Sequence, residues 1–560
     1  METLEVKGEI KEKLRKFEQF FHIFSLKSCY DTYAKKEKFN KQGKFMKKSR
    51  KQWLIFGIVA LLMLGGCAKE QPEPVVEETP EEVTEEIVEE VIETPAEEPE
   101  KEEAVVRVNV DRKQKTYYLA DTDKEYLYLE YCDVTVETSE NQNLKKNIEN
   151  WSMDRSEGLR SMHTEFEESA MIEAENNENF WGYSLYQTVS VSRVDGQVVS
   201  LLDDNYQHTG GAHGMFYREG VNFDVKTGKR LNLQEILSDY TNFSEEATGR
   251  IITYLQENYG EELFDDYIQT VESLWQEDLG PEWYMDGSGI VIVLQQYEVG
   301  PAVIGAPEVH IPYAEVGQYI KEAYLPKETD GVAKIEKNQE IYLKLPNKTE
   351  EVPMMLQYEE KDEIPTVTLW VGDKKRSLDS FAVLTNAYLV RTQDEVFCLV
   401  EGDFASDDYV TYVYRITDGL IDQVAQIYGA IDAGNINTNG ILMKFWVDFL
   451  GTYGGVKKYY FDENLEFVTA DTEYRLHNNE FVLTTKVDLP VTLEGSESIL
   501  PAGSHIILNA TDGESYAAFT IQETGQSGVL SVERDANDYY SVSVNGMNEQ
   551  ECFEFLPYAG

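Results

Sequence analysis

Asn205-Tyr-Gln-His-Thr-Gly-Gly-Ala-His-Gly214, followed by Val221-Asn-Phe-Asp-Val-Lys-Thr-Gly-Lys-Arg-Leu231, decides how the middle of this chain folds. Gly210-Gly211 interrupts any helical period, and a spacing of five keeps His208 and His213 off a shared helical face. A tight glycine turn between strands fits these residues, because glycine takes the left-handed backbone that such turns need. Val221–Leu231 alternates and turns at Thr227-Gly228, so it reads as a further strand pair. Tyr206, His208, Gly210, Gly211 and His213 form a candidate ligand-binding loop, since loops held on a rigid scaffold carry contacts. His208 and His213 with Asp203 or Asp204 make a metal or proton-relay set conceivable. No nucleophile or carboxylate pair stands in register with them, so His213 is expected to be hydrogen-bonded in place. No catalytic residue, metal or cofactor is expected.

Working outward, Leu185–Leu202 reads as a hairpin turning at Asp195-Gly196, with Val189 and Val191 alternating with serines. Before it, Leu144, Ile148, Trp151, Leu159, Met162 and Phe166 make one helical stripe. His163 lies at the margin of that stripe. Tyr126–Val136 alternates and is rich in Tyr and Val, which marks a strand. Downstream, Ile251, Leu255 and Tyr259 share one side of a second helix.

Tyr206…Thr209-Gly-Gly-Ala-His-Gly214, Asn222-Phe-Asp-Val-Lys-Thr-Gly-Lys229, Gly289–Gly300 and Pro307–Tyr313 occur in an order that resembles the extracytoplasmic region of the PdaC/RsiV type. The resemblance covers about residues 106–325 and implies an α+β fold in two linked halves, 106–204 and 205–325. It also implies a sensor-type module, since one such protein is a lysozyme-sensing anti-sigma factor. Another carries the region beside a separate polysaccharide deacetylase domain. No such separate domain is recognisable in this sequence, so the chain is expected not to be an enzyme.

The remainder is strand-rich. In 330–490, Ala387–Arg391, Glu395–Val400 and Tyr409–Ile416 are separated by polar turns, and the pattern partly recurs at Ile441–Val447 and Val456–Phe461. Tyr412 and Tyr459 stand 47 residues apart, a blade-like spacing. Short strands in 491–560, punctuated by Pro501-Ala-Gly503, Thr511-Asp-Gly513 and Thr524-Gly525, resemble a small five-stranded barrel. The expected fold is thus an α+β N-terminal module, then antiparallel all-β middle and C-terminal domains.

At the other end, Met46-Lys-Lys-Ser-Arg-Lys51 precedes the 14-residue run Trp53–Gly66, too short to span a membrane and of export-signal length. Leu64-Gly65-Gly66-Cys67 resembles a bacterial lipobox, which implies cleavage between Gly66 and Cys67 and a lipid on Cys67. Residues 1–45 then read as a dispensable extension, with Met46 as the start, and 46–66 as a lipoprotein signal peptide. Residues 67–105 read as an acidic tether, because 68–105 hold 16 Glu, two Lys and five Pro. Residues 1–66 carry 15 Lys and Arg against seven Asp and Glu, leaving 35 against 96 from Cys67 onward. Such a surface repels nucleic acid and attracts cations. Cys132, Cys398 and Cys552 are widely spaced and odd in number, which suits buried small hydrophobes better than disulfides.

The function these features predict is that of a cell-envelope binding protein. It would lie on the outer face of the bacterial membrane, anchored through Cys67, with a cationic protein such as lysozyme or a wall-derived component as partner. The alternatives are an accessory wall hydrolase using His213, or a membrane-bound anti-sigma regulator if residues 1–52 are cytoplasmic.

Overall fold

A computed structural model describes residues 106–558 apart from 121, 123, 139–140, 277–279, 328, 347, 362–363, 379–380, 405–406, 478–480 and 536–537. The signal, lipidation and tether expectations, including Gly66 and Cys67, lie outside the described residues. No helix among the described residues is long and apolar enough to cross a membrane.

The first half is a sheet backed by one long helix. Strands β1 (Val106–Tyr118) and β2 (Glu125–Thr138) pair antiparallel, and helix α1 (Gln142–Asn176) crosses over to β3 (Tyr183–Val194), which lies parallel to β2. β4 (Val198–His208) and β5 (Met215–Asp224) continue antiparallel. The expected stripe packs inward: Leu144, Ile148 and Leu159 are buried, with Trp151, Met162 and Phe166 partly so. The stripe also carries a charge the apolar pattern did not announce. Arg155 reaches the sheet and pairs with buried Asp203 at 2.8 Å, while its guanidinium donates to the Cys132 carbonyl. A buried pair of this kind stays favourable only while both members are present.

The Thr227-Gly228 turn is present, but its return makes only a single bridge, Phe223 to Arg230, in place of a strand. Gly228 sits at φ +72°, and a Cβ there would stand 2.4 Å from the Leu144 amide, so the turn seats directly against the start of α1. Asn141 caps that helix through the Asn143 and Leu144 amides and donates to the Val225 carbonyl, locking turn and helix together.

The second half packs helix α2 (Tyr240–Tyr259) on a small sheet of β6 (Glu282–Met285), β7 (Gly289–Val293) and β8 (Glu308–Pro312). Phe243, Ala247, Ile251 and Leu255 share a core with Trp283, Ile290, Ile292, Val309 and Ile311. β6 lies against β4 and β5: Asn222 donates to the Trp283 carbonyl, and the Met285 amide donates to Ser200.

Among the described residues the strands form sheets of ten, four, thirteen and three. The first half's sheet runs on through β9 (Gly331–Lys334) into the meander Val383–Thr392, Glu395–Asp403, Tyr409–Thr417 and Leu420–Ile427. The two blade-like segments fall in different sheets, Tyr412 in this one and Tyr459 in the thirteen-stranded one.

The five-stranded barrel is corrected. Its strands form, but among the described residues no sheet closes. His505–Thr511 is engaged on its outer side by Tyr474–His477 and Val482–Thr484, which splice it into the larger sheet. Leu489–Leu493 and Asp538–Val544 both attach to Ser527–Asp535, so neither is left to seal a ring. The α+β module and the antiparallel sheets stand. Cys132, Cys398 and Cys552 are buried and free.

Candidate functional site

The glycine loop joins β4 to β5, with Gly210 and Gly211 at φ +87° and +100°. Tyr206 stands on β4 directly between Tyr186 of β3 and Phe216 of β5. The ring centroids step 5.2 Å from Tyr128 to Tyr186, 5.7 Å to Tyr206 and 4.7 Å to Phe216, a ladder across four strands. Leu127, Leu129 and Leu185 point to the opposite face, where α1 covers them, so alternation sends the ladder to the uncovered one. Tyr128, Tyr186 and Tyr206 are half-buried, while Met215 and Phe216 are exposed.

Gly214 makes this geometry possible. A Cβ at Gly214 would stand 2.3 Å from the Tyr206 ring, so any larger residue displaces that ring. His213 is held, as expected, but by a residue the sequence reading missed. Tyr297 Oη shares a hydrogen bond of 2.9 Å with His213 Nε2, and His213 Nδ1 lies 3.1 Å from the Gly214 carbonyl. Tyr297 has φ +69°, uncommon for a bulky side chain and a mark of a conformation held by its surroundings.

The neighbouring glutamines close the edge of β5. Gln296 accepts from the Phe216 amide at 2.8 Å, and Gln295 both accepts from the Arg218 amide and donates to the Arg218 carbonyl. Side-chain amides thus stand where a further strand would pair. The run Gln295-Gln296-Tyr297 at the end of an apolar strand was the available signal for this.

The structure does not bring the suggested acids to the histidines as partners. Asp203 is engaged by Arg155, and Asp204 pairs with Arg218 at 2.6 Å. His208 ends β4 opposite Ser184. Among the described residues no three His, Cys, Asp or Glu side chains gather into a group able to hold a metal ion.

Two further clusters of titratable side chains escaped sequence reading. Glu282, beside Glu219 and Arg230, has its carboxyl pushed up to about 8, chiefly by burial and then by the Glu219 charge, with Arg230 opposing. Asp286 caps the β6–β7 turn by accepting from the Ser288 and Gly289 amides and meets His310 Nε2 at 2.6 Å. Burial alone would lower the imidazole's pKa, but the Asp286 charge and hydrogen bond outweigh it and raise it.

Residues 111–216 match the family model described as Deacetylase PdaC, and residues 234–314 match that described as a protein of unknown function, DUF3298. Two stretches of the chain are thus similar to the PdaC and DUF3298 families, and the glycine loop lies at the end of the first match. Among solved structures, it is similar to a DUF3298-family member from Bacteroides fragilis NCTC 9343. The identity is 15% over 40% of this chain and 96% of the other, with a TM-score of 0.33. It is also similar to a DUF3298-family protein from Pseudomonas aeruginosa PAO1, at 19% identity over 39% of this chain and 97% of the other, with a TM-score of 0.30. None of the curated proteins matches the chain. The expectation of a non-enzymatic protein is overturned by the first family match, whose description names a deacetylase.

Proposed function

We propose that this chain is a lipid-anchored envelope protein that captures a cationic protein, such as lysozyme, on the ladder face of its PdaC/DUF3298-type module. The observation that carries this is the ladder Tyr128, Tyr186, Tyr206 and exposed Phe216, with exposed Tyr297 held at the glycine loop by His213. Rigid, half-exposed aromatic rings are what protein interfaces use as anchors. A formal charge of −53 supports a basic partner, because it speeds encounter and does so less as salt rises. Titration of the full chain with lysozyme tests the reading. Saturable binding that Phe216→Ala weakens about tenfold is expected, and absence of saturable binding at both low and moderate salt retires it. Anchoring is tested by N-terminal mass spectrometry of the membrane fraction, where a diacylglyceryl-Cys67 terminus is expected.

The deacetylase in the matched family's description supports a second reading, in which the same loop acts on an acetylated wall fragment. Incubation with acetylated wall glycan would then release acetate, and His213→Ala would reduce the rate.

A further inference from the structure

A cleft of about 1550 Å³ opens far along the chain from the glycine loop, between the second half of β1 and the strands Ala430–Asn437, Gly440–Asp448 and Tyr474–His477. Six large rings line it, and four of them, Tyr118, Phe404, Tyr428 and Trp446, are exposed by 50, 42, 75 and 56%. Rings left this open in a chain with so many charged residues call for a partner that covers them.

The cleft is rigid where it is deepest. Glu401 and Asp432 line it while only 2% and 3% exposed. Glu401 accepts from Thr385, Asn386 and the Ile431 amide. Asp432 accepts from Arg112, Asn435 and the Gly434 amide. These carboxylates are satisfied by the protein, so they shape the cleft and do not await a cation. Lys115 and Lys444 stand in the same cleft as Asp407 and Asp408, and no single charge sign dominates its walls.

The start of the β1 edge is closed to an added strand. Asn437 both accepts from the Val108 amide and donates to the Val108 carbonyl, at 2.9 and 2.8 Å. Asn435 does the same at Val110, at 2.9 Å each. Arg112 and Gln114 are the next positions on that edge and line the cleft. β1 runs on to Tyr118, so the asparagines block an added strand over Val108 and Val110, and a peptide of about five residues along the rest of β1 is the competing occupant that the titration below includes.

A polysaccharide meets these conditions. A pyranose presents an apolar C–H face to an aromatic ring and uncharged hydroxyls to planar polar side chains of either sign. The volume exceeds the roughly 300–1,000 Å³ typical of a single small ligand, which suits several linked sugars. We infer that this cleft is a polysaccharide-binding site, in which Trp446, Tyr428, Tyr118 and Phe404 stack on hexopyranose units. The site adjoins the ladder at Tyr128, whose hydroxyl lies 3.2 Å from Glu130 and 3.5 Å from Gln114 in the cleft wall, but it uses different rings and does not rest on the partner proposed there.

The test is calorimetric titration of the full chain with β-linked N-acetylglucosamine oligosaccharides, with cello-oligosaccharides of equal length, and with an extended acidic peptide. Saturable binding of either oligosaccharide is expected, weakened about tenfold by Trp446→Ala or Tyr428→Ala and largely retained by Trp446→Phe. Unchanged unfolding curves establish that the variants fold, as their exposed positions lead one to expect. Absence of binding to both oligosaccharides, binding indifferent to the ring variants, or binding of the peptide alone would each overturn the inference. Phe216→Ala should leave oligosaccharide binding unchanged, and Trp446→Ala should leave lysozyme binding unchanged, which separates the two sites.

Discussion

Glu282 and His310 show how single groups tie this protein's stability to pH. Desolvation, and then the Glu219 charge, push the Glu282 carboxyl up to about 8 from its ordinary 4.5 in the folded chain. Across that window the folded chain holds a proton the unfolded chain has released, so stability falls as pH rises. Glu282→Gln, neutral throughout, is expected to raise the unfolding temperature above pH 8 and to flatten its decline with pH, as thermal scans across pH would show. His310 runs through its partner. Its raised pKa gives stability that is full below its ordinary 6.5 and lost as pH climbs through the raised value. The Asp286 carboxyl is held low, with burial opposed by the His310 charge and the turn amides, so its share is full above 3.8 and lost on acidification. Asp286→Asn is therefore expected to cost roughly 3 kcal/mol between those limits and less at alkaline pH, measured by urea unfolding. Neither effect was legible in the sequence. Glu282 and Glu219 are 63 positions apart, and only the folded chain places them side by side.

At the scale of elements, the chain repeatedly closes strand edges with side-chain amides. Gln295 and Gln296 do so on β5, and Asn435 and Asn437 on β1. Asn437→Ala removes two buried hydrogen bonds and is expected to cost roughly 2–3 kcal/mol, again by urea unfolding. If the loss is near zero, the asparagines are bystanders and the edge is closed by packing alone. The elements themselves were largely legible: the α1 stripe, the hairpin turning at Asp195-Gly196 and the C-terminal strands all form. Their partners were not. Period-2 alternation tells which way a side chain points but not which strand lies alongside, and so the C-terminal strands read as a barrel when they extend a sheet. The glycine loop was legible because Gly210-Gly211 excludes helix. The ladder was not, since its rings come from four strands and face one another only in register.

For the whole molecule, the two proposed surfaces differ in what drives them, and salt should separate them. Capture of a cationic protein draws on the net charge of −53 and is expected to weaken and slow as ionic strength rises. Oligosaccharide binding in the cleft depends on stacking against uncharged sugar and is expected to change little with salt. Gly214→Ala offers a probe of the ladder that removes no contact group. It forces Tyr206 out of line through a single added methyl. The most direct measurement is lysozyme binding to immobilised full chain by surface plasmon resonance, comparing wild type with Gly214→Ala and Phe216→Ala at about 50 and 200 mM salt. A ladder that anchors the partner predicts saturable wild-type binding, about tenfold faster dissociation in both variants and slower association at the higher salt. Equal affinity in all three proteins, or no saturable binding at either salt, would contradict it.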